Sequence, residues 1–273
     1  MLQHHRILGG GGVHLHAVET GRANGRPIVF IHGVSQCGLA WSRQLSSTLS
    51  DTFRLVAVDL RGHGLSDKPR GVYEDSKMWA DDVHAVIRAL DLDHPVLCGW
   101  SYGPLVILDY IRHYGEDDIR GAHFIGGITK LGSDEAASVL TTGFLSLIPG
   151  FFSTDTQESV LALTSLVRMC FARALSDEER YMMVGYNVSV PPHVRQGMFS
   201  RAFDNDDLLP KIRKPVLITY GEADAVVSLA AIDRQMKRIT TAQIQVMAGA
   251  GHACFWDEPV EFNQSLGKFV EAA

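Results

Sequence analysis

The chain has 273 residues, of which 46% are hydrophobic and 21% charged, a composition typical of one large folded domain with room for an insertion. A net charge of −6 without any basic stripe argues against nucleic acid or anionic membrane surfaces as partners. No stretch of 18 apolar residues occurs and the first residues lack a secretory signal pattern, so no membrane span is expected. The four cysteines have no CxxC spacing, which predicts reduced thiols in a cytoplasmic protein.

Eight strands are predicted along the chain, and most of them alternate with helices. The middle strands are near-continuous apolar runs, which is typical of strands buried on both faces of a parallel sheet. The GGGG sequence at 9–12 lacks the spacing of a dinucleotide-binding loop and predicts a hairpin turn. The alternation of strands with helices predicts a doubly wound α/β fold. The predicted strands are 6–8, 13–19, 27–31, 54–59, 95–99, 121–126, 216–220 and 243–247, and the predicted helices are 76–90, 102–113, 227–238 and 258–272.

The alternation of strands and helices stops in the middle of the chain, between 129 and 203. This segment holds half of the 12 phenylalanines and four of the 8 methionines, in runs with helical spacing. We interpret it as a helical lid inserted between two parts of an α/β core, 1–128 and 204–273. Its apolar side chains are expected either to line a substrate channel or to pack the lid on the core. The candidate pocket residues in it are Phe144, Phe151, Phe152 and Tyr186.

The sequence GWSYGP at 99–104 follows an apolar strand and precedes a helical pattern. A Gly-x-Ser-x-Gly pattern alone is common in a glycine-rich chain, so its context must support any function. Small residues at Gly99 and Gly103 allow a tight strand-to-helix turn, and Pro104 suits the first turn of the following helix. The sequence therefore predicts a nucleophile elbow with Ser101 at its tip.

A serine hydroxyl needs a histidine base and a carboxylate that orients it. Asp224 follows the predicted strand 216–220, and His252 follows 243–247 after a turn with two glycines. Both positions lie at strand ends, where active-site groups of parallel sheets gather. Backbone N–H groups must also bind the developing oxyanion, and we assign these to Val34 and Tyr102.

Four motifs in chain order resemble the α/β-hydrolase superfamily, in its serine-nucleophile branch with a lid. They are FIHG at 30–33, DLRGHGLSD at 59–67, GWSYG at 99–103, and GEAD at 221–224 with GAGH at 249–252. The resemblance covers about 13–270 apart from the middle segment. It implies an α/β-hydrolase fold with a mostly parallel eight-stranded sheet, the nucleophile Ser101, the base His252, the orienting Asp224 and no cofactor. Pro104 departs from the glycine that many members carry there.

The motifs leave the substrate open. The expected reaction is hydrolysis of an ester, lactone or similar carbonyl compound of small to medium apolar character through an acyl-enzyme. Cleavage of C–C bonds and cofactor-free perhydrolysis, which appears as haloperoxidase activity, are alternatives, and a ligand receptor with little turnover is a further one. His32 and Trp100 join the candidate pocket. A small-molecule substrate is the expected partner, and a homo-oligomer is compatible with the sequence.

Other polar clusters are interpreted as structural. His14 and His16 lie two residues apart on a strand without nearby partners at ligand spacing, so no metal is expected. Asp59 and Asp67 flank the RGHG turn and are expected to hold it.

Overall fold

The computed structural model describes residues 2–273, within which eight strands form one sheet and two short strands form a separate ribbon. The order across the sheet is β1-β2-β4-β3-β5-β6-β9-β10. Strand β2 is antiparallel to both of its neighbours, and the other adjacent strands are parallel. The strands are β1 (Gln3–Leu8), β2 (His14–Gly21), β3 (Pro27–Ile31), β4 (Arg54–Asp59), β5 (Val96–Trp100), β6 (Gly121–Ile125), β7 (Lys130–Leu131), β8 (Phe203–Asp204), β9 (Val216–Gly221) and β10 (Ala242–Met247).

This sheet confirms the predicted α/β-hydrolase fold. Each of the eight predicted strands corresponds to one strand of the sheet, with ends that differ by at most three residues. All residues of β3, β5, β6 and β9 are buried, as their apolar runs indicate. The glycines at 9–12 form a turn between the antiparallel β1 and β2, which confirms the hairpin.

Helices cover the sheet and also form a group of their own in the middle of the chain. Helix α3 follows β5 and packs on α2, while α11 stacks its Phe262 ring on His123 of β6. Among residues 2–273, no helix combines the length and apolar character needed to cross a bilayer. The helices are α1 (Ser42–Leu45), α2 (Ser76–Ala89), α3 (Gly103–Tyr114), α4 (Asp134–Ala137), α5 (Thr142–Phe152), α6 (Thr156–Met169), α7 (Asp177–Val188), α8 (Pro192–Phe199), α9 (Ala230–Arg238), α10 (Cys254–Asp257) and α11 (Pro259–Ala272).

Helices α4 to α8 lie between β6 and β9 in the chain, and we call them the helical insertion. Helix α5 packs on α6 and α8, and α6 packs on α7. The antiparallel ribbon of β7 and β8 pairs Leu131 with Phe203 and so brings the two ends of the insertion together. The sequence did not predict these strands, because two-residue strands are too short to produce a periodic pattern.

Two helices are shorter than their apolar patterns predict, and both differences occur beside the loops that carry Asp224 and His252. Helix α9 begins at Ala230 and not at 227, because the Val226 and Val227 N–H groups donate to Asp224. Helix α6 ends at Met169, although helical spacing continues to 175. The backbone beyond it contacts the loop around His252 instead.

Candidate active site

The predicted nucleophile Ser101 lies in the turn between β5 and α3 with a φ of 60°, in the left-handed region that a serine rarely adopts. A Cβ at Gly99 would come within 2.7 Å of the Gly103 carbonyl carbon. One at Gly103 would come within 2.6 Å of the Ile31 oxygen. Only glycine fits at these two positions, so the turn has the strand-to-helix geometry predicted for the GWSYG sequence.

Pro104 is the residue that departs from the family pattern, and Gly127, which follows β6, leaves room for it. It occupies the first turn of α3, where the missing N–H has no helical partner to lose. A Cβ at Gly127 would overlap the Pro104 ring. The proline therefore fills space that Gly127 leaves open behind the elbow.

The structure brings His252 and Asp224 together by their side chains. His252 Nδ1 lies 2.8 Å from Asp224 Oδ2, and both side chains are almost fully buried. The other carboxylate oxygen accepts the N–H groups of Val226 at 2.8 Å and Val227 at 2.9 Å. Because Asp224 Oδ2 accepts the Nδ1 proton, the free nitrogen of the imidazole is Nε2. The carboxylate thus fixes both the orientation and the tautomer of the ring.

Ser101 and His252 line one cavity. Within the described residues, 2–273, no hydrogen bond joins Ser101 to His252. Such bonds are often long in unliganded enzymes and shorten when substrate binds. The arrangement brings a hydroxyl, an imidazole and the carboxylate that holds the imidazole to the same part of the molecule.

His32 was predicted as a pocket residue, and the structure corrects this assignment. Its ring is fully buried and does not line the cavity. Nδ1 donates to the Gly33 oxygen at 2.7 Å, and Nε2 accepts the Leu60 N–H at 3.0 Å. Burial lowers the pKa of His32 to about 4, so the ring is neutral and holds the loop after β3 in shape.

The loop after β3 carries Val34, which lines the cavity with Ser101, and Tyr102 directly follows Ser101 in the chain. No group in residues 2–273 accepts a hydrogen bond from the backbone N–H of either residue. Ser35 has a φ of 60°, and its N–H donates to Nε2 of the buried His63 at 3.2 Å. The turn at Ser35 therefore leaves the Val34 N–H free to bind an anionic oxygen.

The cavity at Ser101 is narrow, with a volume of about 10 Å³, close to what one water molecule needs. Of the candidate pocket residues, Trp100 and Phe144 line this cavity. The pocket assignments of Phe151, Phe152 and Tyr186 are wrong for this cavity. The lining residues are Gly33, Val34, Gln36, Trp100, Ser101, Phe144, Leu166, Cys170, Val226 and His252.

The three misassigned residues have other contacts. Phe151 is fully buried and packs on Phe144 and Phe199 inside the insertion, and Phe152 meets Phe199 edge to face. Tyr186 is buried, and burial raises its pKa well above the ordinary value. The contacts of Phe151 and Phe152 hold the helices of the insertion to one another, whereas the alternative interpretation expected such residues to pack the insertion on the core.

Sequence reasoning missed several lining residues because no local pattern marks them. Gln36 lies two residues after Val34, and Val226 lies two residues after Asp224. Leu166 belongs to the apolar stripe of α6, which contains many equivalent residues. Only the three-dimensional packing of the insertion distinguishes Leu166 from them.

Asp257 joins the loop that carries His252 to the helical insertion. Its Oδ2 accepts the Gly251 N–H at 2.8 Å and the Ala172 N–H at 2.9 Å. Beside this contact, the Cys170 oxygen accepts the Ala253 N–H at 2.7 Å. The backbone after α6 is thereby fixed to the residues on both sides of His252.

A second buried link connects the end of the insertion to the elbow. Arg201 donates to Asp109 Oδ2 at 2.7 Å and to the Tyr102 hydroxyl at 3.0 Å. Its guanidinium carbon lies 3.6 Å from the centre of the Phe203 ring. Because Tyr102 directly follows Ser101, this ion pair helps to hold the residue whose N–H is the predicted oxyanion donor.

The remaining polar clusters have structural partners. Asp59 accepts the N–H groups of Gly38 at 2.6 Å and Leu65 at 2.8 Å, and it contacts His16. Asp67 pairs with His14. Within the described part of the chain, no three histidine, cysteine or acidic side chains are grouped as metal ligands would be. The four cysteines are buried and unpaired there, and burial raises the pKa of the Cys170 thiol.

The chain matches the family model described as alpha/beta hydrolase family over residues 28–265. The crystal structure of an esterase, RhEst1, from Rhodococcus sp. ECU1013 is similar, with 34% identity, a TM-score of 0.91 and 98% of each chain covered. The non-heme chloroperoxidase CPO-A1 of Kitasatospora aureofaciens is 27% identical over 90% of this chain and 92% of its own length. A 2-hydroxy-6-oxo-2,4-heptadienoate hydrolase of Pseudomonas putida is 26% identical over 98% of this chain and 96% of its own length.

The matched region contains both halves of the site, from the loop after β3 to the loop with His252. The similar structures and relatives cover nearly the whole chain, including the helical insertion. This chain belongs to the alpha/beta hydrolase family and is an enzyme of the hydrolase type.

Proposed function

We propose that this enzyme is a serine hydrolase that cleaves an ester, lactone or similar carbonyl substrate through an acyl-enzyme. One observation carries the proposal. Ser101, on its strained turn, lines one cavity with Val34 and with His252, whose imidazole contacts Asp224, and the Tyr102 N–H directly follows Ser101 in the chain. Nucleophile, base, orienting carboxylate and oxyanion donors are the four parts that acyl transfer requires.

In the first half of the reaction, Ser101 Oγ attacks the carbonyl carbon while His252 Nε2 takes the hydroxyl proton. The carbonyl oxygen becomes negative and accepts hydrogen bonds from the Val34 and Tyr102 N–H groups. Asp224 stabilises the imidazolium through Nδ1–H. The intermediate collapses, the C–O bond to the alcohol breaks, and His252 returns its proton to the leaving oxygen.

In the second half, water replaces the alcohol. His252 Nε2 takes a proton from the water as its oxygen attacks the acyl carbon. The bond to Ser101 Oγ breaks, the serine regains its proton from the imidazolium, and the acid leaves. Each oxyanion donor is expected to lower the barrier by about 3 kcal/mol.

The lining supports a small to medium apolar substrate. Val34, Trp100, Phe144, Leu166 and Val226 surround the reacting groups with apolar surface. Phe144 of α5 and Leu166 of α6 line the cavity, so the helical insertion forms part of its wall and lies where a substrate would enter. This is why we assign the helical insertion the role of a lid.

Perhydrolysis is a second candidate reaction at the same site. The similarity to the Kitasatospora chloroperoxidase favours it. Hydrogen peroxide would replace water as the nucleophile, and the acyl group would leave Ser101 as a peracid. Cleavage of C–C bonds, favoured by the Pseudomonas relative, requires a diketone-type substrate in place of the ester.

The test follows hydrolysis of p-nitrophenyl esters of increasing acyl length beyond one equivalent of enzyme. We expect sustained turnover that Ser101→Ala abolishes and that Asp224→Asn lowers by about 10³–10⁴-fold in kcat. Ser200→Ala, at an exposed serine of the insertion, is the matched control and should retain wild-type turnover. A single burst from folded wild type would indicate a receptor, and full activity of Ser101→Ala would refute the mechanism.

A further inference from the structure

The cavity at Ser101 contains one polar side chain, among those the described residues contribute, that the proposed mechanism does not use. This side chain is Gln36, which is only 4% exposed. We propose that Gln36 determines specificity by accepting a hydrogen bond from a hydroxyl or N–H group of the substrate. The inference rests on the proposed function and specifies its substrate class as hydroxy- or amino-substituted carbonyl compounds.

The orientation of the Gln36 amide follows from a chain of hydrogen bonds. The Met183 oxygen can only accept, so the Asn187 group that contacts it at 2.8 Å is the amide Nδ2. This turns Asn187 Oδ1 toward Gln36, where it lies 3.5 Å from Nε2. Nε2 of Gln36 therefore faces Asn187, and its carbonyl Oε1 is the remaining end of the amide.

None of the described side chains or backbone groups donates to Gln36 Oε1, although the residue lines the cavity. Gln36 Oε1 is not among the fully buried side-chain atoms of residues 2–273 that lack a partner, so the oxygen is open to water in the cavity. A substrate that displaces this water and donates to Oε1 keeps the oxygen hydrogen-bonded. One with a methyl group at the same place would desolvate the oxygen and leave it unpaired, so the site should reject it.

The loop geometry limits where the donor lies on the substrate. Gln36 is two residues from Val34, whose N–H is the proposed oxyanion donor, and two residues span at most about 7 Å. We therefore expect the hydroxyl or N–H near the reacting carbonyl, on its acyl or its alcohol side. The remaining lining is largely apolar, which fits a short hydrocarbon chain around this single polar group.

The test compares esters that differ only by a hydroxyl in place of a methyl group. The p-nitrophenyl esters of 3-hydroxybutyrate and 3-methylbutyrate, and of lactate and isobutyrate, test the acyl side. The 2-hydroxyethyl and propyl esters of butyrate test the alcohol side. For at least one pair we expect the wild-type kcat/KM to favour the hydroxyl compound by about tenfold or more.

Gln36→Leu should remove this preference, whereas Gln36→Glu keeps an acceptor oxygen and should retain it. Gln157→Leu, at an exposed position of α6, is the matched control and should behave as wild type. A wild-type ratio within about twofold for every pair, or a ratio that Gln36→Leu leaves unchanged, would overturn the inference.

Binding separates this inference from the proposed reaction. The Ser101→Ala protein is titrated calorimetrically with 3-hydroxybutyramide and 3-methylbutyramide, with and without Gln36→Leu. Tighter binding of the hydroxyl amide that disappears in Gln36→Leu supports the inference even if no ester is turned over. Equal binding of the two amides contradicts it even if ester hydrolysis is confirmed.

Discussion

Replacing Asp257 tests whether the link between the His252 loop and the helical insertion stabilises the fold and the site together. Both of its hydrogen bonds, from Gly251 and Ala172, end on the same oxygen. Asp257→Ala leaves the buried Gly251 N–H without a partner, at a cost of about 1–3 kcal/mol, and removes the hydrogen bond of the exposed Ala172, worth about 1 kcal/mol. We therefore expect the free energy of unfolding to fall by about 2–4 kcal/mol.

Asp257→Asn provides the graded comparison. The amide oxygen can accept both N–H groups, so only the contribution of the charge is lost, about 1–2 kcal/mol. Urea unfolding at equal protein concentration measures both variants. The control is Asp93→Ala, whose side chain is 85% exposed and which should change stability by less than about 0.5 kcal/mol.

The same variants report on function. Because Gly251 directly precedes His252, loss of its hydrogen bond should let the imidazole move, and kcat should fall more than KM changes. A cost below about 1 kcal/mol for Asp257→Ala would refute the reasoning. So would an Asn variant as unstable as the Ala variant, since the acceptor oxygen would then not matter.

Three further outcomes follow from the geometry. Gly33→Ala places a methyl 2.8 Å from Ser101 Cβ and should lower kcat about 100-fold; wild-type activity would contradict this. Arg201→Met leaves Asp109 buried and unpaired, so the free energy of unfolding measured in urea should fall by about 3–5 kcal/mol. Adding Asp109→Leu should recover most of this loss, and a double variant as unstable as the single one would refute the pairing. Burial lowers the pKa of His123 to about 3. Between pH 6.5 and 4 the unfolded chain therefore binds a proton that the native state does not, so the free energy of unfolding decreases as the pH is lowered. His123→Phe should remove about 3 kcal/mol of this decrease at pH 4.

The sheet was predictable from sequence because its signals are local. A parallel strand buried on both faces must be apolar along its length, as in PIVFI at 27–31. The elbow was predictable for a related reason, since two glycines within five residues are needed wherever a chain turns so tightly around Ser101. Asp224 and His252 follow from strand ends that share one edge of the sheet.

The pocket was harder to predict because it depends on contacts between distant segments. Phe144 and Phe151 are both apolar residues of α5, yet Phe144 lines the cavity and Phe151 packs inside the insertion. Nothing in their spacing separates them. Gln36 and Asp257 have no local pattern at all, since each has a partner more than 80 residues away in the chain, Asn187 for Gln36 and Ala172 for Asp257.

The ribbon of β7 and β8 has a consequence for folding and for the evolution of specificity. Strands β6 and β9 are adjacent in the sheet, although about 90 residues separate them in the chain. By joining the two ends of the insertion, the ribbon shortens the loop that must close when these strands pair, which lowers the entropic cost of closure. The helices between β7 and β8 can then be replaced as a unit. Their sequence can diverge, and with it the shape of the cavity roof, without changing the register of the sheet that holds Ser101.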